Sequence, residues 1–448
     1  MSTTEIMPVN SSGNATFDAL ARLIRNREAR VGVIGLGYVG LPLALTLNSA
    51  GFQVTGIDVD ENRVQRLCDR TSYVTDVGSN QLAQAMDGGR FNVTSNADVI
   101  RELDTISICV PTPLRKSKDP DLSYVLSAVD MIACRLRPGQ LIILESTTYP
   151  GTSEELVLPE LEKTGFRVGS DCFLAYSPER VDPGNKEFST RNIPKIVGGI
   201  TPRCAELATL LYGSCVDRTM TVSSTRVAEM VKLLENTFRN VNVALANEIA
   251  LMCAHMQIDV WEVIRAAETK PFGFMPFYPG PGLGGHCIPI DPIYLLWKAK
   301  CSGFEPRFIE LADSINSAMP RAVVLRAMEL MNQRGMPLKG SRVHILGVTY
   351  KKNISDTRES PAIEIVKLLS SCGATVSYTD SFAPELEVDG RRLQSTPATA
   401  ELLEGSDLVM IITDHSSVDY KNVADHAPLI FDTRNATEGI HSDNIVRL

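Results

Sequence analysis

The run Gly35-Leu-Gly37-Tyr-Val-Gly40 lies between an apolar stretch, Val31-Gly-Val-Ile34, and a helical pattern that continues through Leu47. Three glycines at that spacing, leaving a strand and entering a helix, restrict the chain to a βα unit with a tight phosphate-type turn. Gly35 permits the turn, Gly37 keeps the backbone bare enough for a pyrophosphate to approach, and Gly40 lets helix and strand pack closely. The helix start then presents backbone N–H groups and the positive end of its dipole. The next apolar run, Gln53 to Ile57, ends in Asp58, eighteen residues past Gly40. A carboxylate there accepts hydrogen bonds from ribose hydroxyls and repels a 2′-phosphate, so NAD is expected rather than NADP.

Further short apolar runs alternate with helical patterns: Thr105 to Val110, Gln140 to Leu144 and Lys195 to Gly198. Such alternation implies a parallel sheet covered on both faces. A helical stretch from about Ser224 to Ala254 follows, with Val227, Met230, Val231, Leu234, Phe238, Val241, Leu245, Ile249 and Met252 at spacings of three and four. That periodicity predicts one buried stripe. A Gly/Pro-rich segment, 271–292, excludes regular structure and predicts an ordered loop. After a second helical stretch (about 310–334) a new α/β pattern begins, with runs at 341–347, 375–379, 407–413 and 428–432. The expected fold is α/β, with two Rossmann-like doubly wound domains joined by a long central helix. The boundaries are an N-terminal extension over 1–29, a NAD-binding domain over 30–215, a central helical region with the cysteine loop over 216–320, and a second Rossmann-like domain over 321–448.

The net charge of −9 argues against a nucleic-acid partner, which needs a basic face. No apolar run reaches the ~18 residues of a membrane span, and the polar start resembles no secretory leader, so a cytoplasmic protein is expected. The ten cysteines form no zinc-type spacing, no metal site is expected, and the histidines 255, 344, 415, 426 and 441 receive no role. Most of the cysteines read as buried reduced thiols.

Cys287 differs from the rest. It stands in Gly282-Leu-Gly284-Gly285-His286-Cys287-Ile-Pro-Ile-Asp291, where glycines let backbone amides crowd a ligand and leave one side of the thiol open. Lys232 and Asn236, four apart on the predicted long helix, share a face. A lysine there suits an alkoxide, and an asparagine completes an oxyanion site.

Together these residues resemble the UDP-glucose/GDP-mannose dehydrogenase family from Val31 onward. The carrying motifs are the glycine run, Glu145-Ser-Thr147, Ser177-Pro-Glu179-Arg, Glu229-Met-Val-Lys232-Leu-Leu-Glu-Asn236, Gly284-Gly-His-Cys287 with Asp291, and Lys351 followed by Asp356-Thr-Arg358-Glu-Ser. The resemblance implies a helical dimerisation core, hence a homodimer or higher homo-oligomer, and a C-terminal domain for the UDP moiety of a UDP-sugar. It implies that Cys287 attacks a C6 aldehyde, and that a second hydride transfer to a second NAD leaves a thioester. Lys232 and Asn236 would stabilise oxyanions, Asp291 a proton-transfer water, and Glu179 and Thr147 the hydrolytic water. Tyr38, Val39, Thr112, Thr147 and Arg358 would contact NAD. Glu179, Lys232, Asn236, Tyr278, Gly284 and Lys351 would contact the sugar nucleotide. One departure stands out: many UDP-glucose enzymes carry a second glutamate four residues after the first, where this chain has Pro183.

The stretch from Thr269 to Gly282, with His286, is most similar to the branch acting on UDP-N-acetylhexosamines, UDP-N-acetylglucosamine 6-dehydrogenases above all. UDP-N-acetylmannosamine, UDP-N-acetylgalactosamine and UDP-glucose stay open at this point. By association the product feeds polysaccharide or O-antigen synthesis. A two-electron hydroxyacid dehydrogenase would yield one NADH per turnover without needing Cys287, and a non-catalytic NAD-binding protein would bind cofactor without turnover.

Overall fold

The computed structural model describes residues 11–448 apart from 75, 116, 182–186 and 286. It divides into two compact units, residues 1–234 and 235–448, and the helix Thr225–His255 contains the boundary. The departure at Pro183 and the expectation for His286 lie outside the described residues.

In the first unit the strands are β1 (Arg30–Ile34), β2 (Gln53–Ile57), β3 (Phe91–Thr94), β4 (Thr105–Ile108), β5 (Leu141–Leu144), β6 (Phe173–Tyr176), β7 (Lys195–Gly199) and β8 (Thr219–Thr221). They form one sheet in the order β3-β2-β1-β4-β5-β6-β7-β8. Every pairing is parallel except β6 with β7. Strands β4, β5 and β6 are buried at all their residues, the continuous apolar pattern of a sheet covered on both sides. Because β1 pairs with both β2 and β4, the loop after β1 opens at the point where strand order reverses, the usual ligand crevice of such sheets.

Residues 11–26, expected as part of an extension, form a helix whose Leu20, Ala21 and Ile24 enter the core of the first sheet. Its Thr16 Oγ1 donates to Ser170 O at 2.7 Å, and the Phe17 ring meets Phe173 edge-on.

The second unit holds β9 (Arg342–Leu346), β10 (Thr375–Thr379), β13 (Leu408–Ile411), β14 (Ile430–Asp432) and β15 (Ile445–Arg447), in the all-parallel order β10-β9-β13-β14-β15. A separate hairpin pairs β11 (Glu385–Val388) with β12 (Arg391–Gln394). The α/β expectation with Rossmann-like parallel sheets and a long central helix holds.

The predicted buried stripe on the long helix does not. Val227, Met230, Leu234, Phe238, Leu245 and Met252 are exposed, from 38% at Met230 to 57% at Leu234. Val231, Val241 and Ile249 are half-buried. The buried positions combine small and apolar residues (Ala228, Leu233, Ala244, Ala250, Cys253) with the polar Glu229, Lys232, Asn236, Asn240 and Asn247. Periodicity identifies an apolar face but not what covers it.

Candidate functional site

At the carboxyl edge of the first sheet, Gly35 has φ +89°, and a Cβ on it would lie 2.7 Å from Cys109 O. A Cβ on Gly40 would lie 1.8 Å from Gly35 O, so helix Gly40–Ser49 approaches β1 only because both residues are glycine. At Gly37 a Cβ would meet nothing within 4 Å: no neighbouring protein atom demands a glycine, whereas close approach of a ligand would. Val39 ends the turn in αR conformation and no side chain caps the helix behind it, which suits an anion at that terminus. Asp58 is buried; its Oδ2 accepts from Leu36 N at 2.8 Å and its Oδ1 from Asp60 N at 3.0 Å. The carboxylate therefore braces the glycine turn, and Arg63 stands 3.8 Å away. Tyr38 is exposed. Thr112 is buried beyond β4 and Thr147 half-buried beyond β5, both at the edge where a nucleotide would lie. These residues fit NAD.

Beside them the same edge holds a buried charge cluster. Lys195, the first residue of β7, places Nζ 2.6 Å from Glu145 Oε2 and 3.3 Å from Glu179 Oε2. Glu179 Oε1 accepts from the backbone N–H groups of Arg180 and Val181, each at 2.8 Å. Burial opposes ionisation of Glu179, yet the Lys195 ammonium, those two amides and the Lys232 charge together hold its carboxyl below the usual range. Glu145 goes the other way: burial raises it, with Glu179 adding to the rise against the pull of Lys195. Tyr212 Oη donates to Glu145 Oε1. Of this cluster only Glu179 received a role from the sequence, with Glu145 appearing in the motif Glu145-Ser-Thr147 without one. A lysine opening an apolar strand and a glutamate closing one (Lys195, Glu145) were the available signal, since buried charges occur in pairs.

Lys232 is itself buried. One turn before it, Glu229 fastens the long helix to the turn after β5, accepting from Gly151 N at 2.6 Å and from Ser153 N and Oγ at 2.9 and 2.7 Å.

In the second unit, asparagines on the long helix tie down the cysteine loop. Asn236 Nδ2 donates to Asp291 Oδ2, Asn240 Nδ2 to Ile288 O at 3.2 Å, and Asn247 Oδ1 accepts from Gly280 N at 2.9 Å. Asn316 joins the last two, donating to Asn240 O at 3.2 Å and accepting from Asn247 Nδ2 at 2.9 Å. Cys287 is exposed, and its carbonyl accepts from Ile290 N and Asp291 N at 3.2 and 2.9 Å, opening helix Asp291–Cys301. The glycines before it pack against protein: Cβ atoms on Gly284 and Gly285 would lie 2.6 and 2.7 Å from the Tyr350 side chain, and Gly285 N donates to Arg358 O at 3.1 Å. Arg358 itself chelates Asp356, with Nη2 2.6 Å from Oδ2. Lys351 follows on the same segment, half-exposed, its carbonyl taking Thr349 Oγ1 at 3.0 Å. Tyr278 stacks on Trp261 and donates to Glu268 Oε2 at 2.8 Å. A residue absent from the sequence reading, Arg434, lies under Gly280, where a Cβ would be 2.5 Å from its Nη1; it follows β14 at the carboxyl edge of the second sheet, its Nε donating to Ile412 O at 2.9 Å.

Two parallel nucleotide-type sheets, one with a glycine turn shaped for a dinucleotide, and an exposed thiol on a braced loop define an NAD-using oxidoreductase of nucleotide sugars. The chain belongs to the UDP-glucose/GDP-mannose dehydrogenase family, matching its NAD binding domain over residues 29–216, its central domain over 226–318 and its UDP binding domain over 344–439. A UDP-N-acetyl-D-mannosamine dehydrogenase of Methanococcus maripaludis is 36% identical over 91% of this chain and 93% of its own. A UDP-N-acetyl-D-glucosamine 6-dehydrogenase of Pseudomonas aeruginosa is 38% identical over 79% of this chain and 83% of its own. Among solved structures, the UDP-D-ManNAc dehydrogenase from Pyrococcus horikoshii matches with a TM-score of 0.86 and 33% identity, covering 93% of this chain and 98% of that one.

Proposed function

We propose that the chain oxidises the C6 alcohol of UDP-N-acetylglucosamine to the carboxylate, a four-electron reaction through a thioester on Cys287. The observation that carries this reading is the exposed Cys287 on a loop whose following helix begins at Asp291, held by Asn236. NAD, when bound, would supply the hydride acceptor for both oxidations, so one alcohol, two NAD⁺ and one water give one acid, two NADH and two protons.

The Cys287 sulfur bonds to the aldehyde carbon, and the ammonium of Lys232 and amide of Asn236 are assigned to stabilising the resulting oxyanion. Asp291 takes up or returns the proton of that oxygen through a water. In the last step water adds to the thioester carbon, the C–S bond breaks, and the thiolate regains a proton. Glu179 and Thr147 orient that water. Gly284, Tyr278 and Lys351 are assigned to the sugar nucleotide, with Arg434 joining them as a cation for its phosphates, and Tyr38, Val39, Thr112 and Arg358 to NAD.

UDP-N-acetylmannosamine is the second reading, favoured by the extent of the match to the enzyme of M. maripaludis. The acid would serve as a precursor of acidic polysaccharide in the cytoplasm. The exposed apolar stripe of the long helix is assigned to contact with a second copy of the chain. A panel of UDP-sugars scored for NADH yield tests the whole reading. UDP-N-acetylglucosamine should give the highest kcat/KM and two NADH per sugar; preference for UDP-N-acetylmannosamine would select the second reading, and one NADH per sugar would overturn the four-electron course. Cys287→Ser should bind NAD and release no acid.

A further inference from the structure

Burying Lys195 with two carboxylates costs several kcal/mol per ion, and an apolar replacement of equal volume is usually no less stable. Packing therefore does not explain the cluster. Strand direction supplies a clue: β7 runs antiparallel to its neighbour β6, and this reversal brings its first residue, Lys195, to the carboxyl edge, where Glu145 follows β5 directly and Glu179 lies three residues beyond the end of β6. A parallel β7 would have put the ammonium at the opposite edge.

We propose that Lys195 and Glu145 are positioning residues for the release of the acid: Lys195 holds Glu179 as an oriented anion beside the attacking water, and Glu145, backed by Tyr212, competes for the same ammonium and limits that hold. This rests on the assignment of Glu179 to the hydrolytic water. The geometry is a continuous chain. Glu179 has one oxygen fixed by two backbone amides, and its other oxygen meets Lys195 at 3.3 Å, whereas Lys195 is closer to Glu145, at 2.6 Å. Tyr212 Oη lies on the far oxygen of Glu145 and 3.4 Å from Ser107 Oγ. Among the described residues, the other titratable groups facing the chain are Lys232, toward Glu179, the buried Cys109, toward Glu145, Lys195 and Glu179, and Cys215, toward Lys195 and Glu145. Environments that drive two neighbouring carboxylates apart mark a division of labour: here Glu145 is pushed up by burial and Glu179 is held down.

The two neighbours of Glu179 act on it with opposite sign, which a purely structural role would not produce. Without Lys195 the carboxylate loses its counter-charge, so the acidic limb of the kcat profile moves to higher pH. Without the Glu145 charge Lys195 serves Glu179 alone, and the limb moves to lower pH. The experiment measures NADH formation against time and pH in the full chain with NAD and the best UDP-sugar, for Lys195→Met, Lys195→Arg, Glu145→Gln and Glu179→Gln. Lys195→Met should keep a burst of two NADH per site while steady-state kcat falls about 100-fold, the scale of a lost proton-transfer group, and KM changes little; Lys195→Arg should recover much of it. Limbs that coincide with wild type in Lys195→Met and Glu145→Gln, with Glu179→Gln slowed, would overturn the proposal alone. If Lys195→Met fails to fold, the isosteric Glu145→Gln carries the test by the direction of its limb. A Glu179→Gln enzyme with normal turnover would remove the water assignment itself, and this proposal with it.

Discussion

Asn236 donates its side-chain amide to the carboxylate of Asp291, both groups buried, so a residue of the long helix sets the first residue of the helix that follows Cys287. The bond fixes the side-chain orientation of both residues, which are the ones assigned above to the oxyanion and to the proton-transfer water. Asn240 and Asn247 repeat the arrangement further along the same helix, at Ile288 and Gly280. The loop carrying the thiol is thus pinned on both sides by side-chain amides.

We predict that Asn236→Ala lowers kcat about 100-fold, the loss expected for one oxyanion donor, with NAD affinity unchanged. It should also cost about 1–3 kcal/mol of stability, because Asp291 loses a buried partner. Asn236→Asp should be worse, since it sets two carboxylates together. Steady-state kinetics beside a NAD-binding titration check this; an unchanged kcat in Asn236→Ala would leave the residue a structural role only.

Gly285 has φ +83° and would drive a Cβ into the Tyr350 ring. Gly285→Ala is expected to cost about 1–2 kcal/mol from the left-handed backbone alone, plus the displacement of Tyr350. Gly284→Ala meets both the Tyr350 side chain and Glu359 O, at 2.6 and 2.8 Å. Both variants should retain most of their NAD affinity, because the glycine turn for NAD belongs to the other unit and only the assigned Arg358 contact adjoins Gly285, and both should lose turnover. Abolished NAD binding in either would show that this division of roles is wrong.

The parts of this site legible in the sequence were those carried by local spacing. The glycine turn with Asp58 follows from the steric demands of one βα unit, and Cys287 was marked by glycines around it. What the loop glycines pack against was not legible: they clear space for Tyr350, some sixty-five residues further along, and nothing nearby in the chain signals that contact. The long helix is the sharper lesson. Its apolar stripe was read correctly as a face and wrongly as buried: six of its nine residues are exposed, while small residues and a row of buried polar side chains face inward. Strands β3, β6, β8, β11, β12 and β15 escaped notice, and the Glu145–Lys195 pair escaped because its members are fifty residues apart and join only through the sheet order.

Asp58 braces Leu36 N and Asp60 N and is the residue proposed for the ribose hydroxyls, so its replacement should act twice. We predict that wild type prefers NAD to NADP by about 100-fold in kcat/KM, since the carboxylate repels a 2′-phosphate. Asp58→Asn should lose NAD affinity, because its amide turns a donor toward an existing donor, and should narrow the preference with Arg63 at hand. Equal kcat/KM for both cofactors in wild type would refute the ribose argument.

His344, fully buried in β9, has Nδ1 2.8 Å from Ser377 Oγ and Nε2 2.9 Å from Thr379 Oγ1. Burial lowers its pKa from 6.5 to about 4, so the folded protein keeps it neutral where the unfolded chain takes up a proton. The sign follows: its stabilising contribution is complete above pH 6.5 and is lost as pH falls from there through about 4. At about 1.4 kcal/mol per pH unit the loss is on the order of 3 kcal/mol. Asp380, held below the ordinary carboxylate range despite burial by His415 and by backbone N–H groups, adds its own loss only at lower pH. His344→Asn, which keeps a polar group between Ser377 and Thr379, should therefore be less stable than wild type at pH 7.5 and approach it at pH 4.5. Urea midpoints of the two proteins at those two pH values decide the matter: a stability difference that stays constant between them would mean that the imidazole titrates in the fold as it does in water.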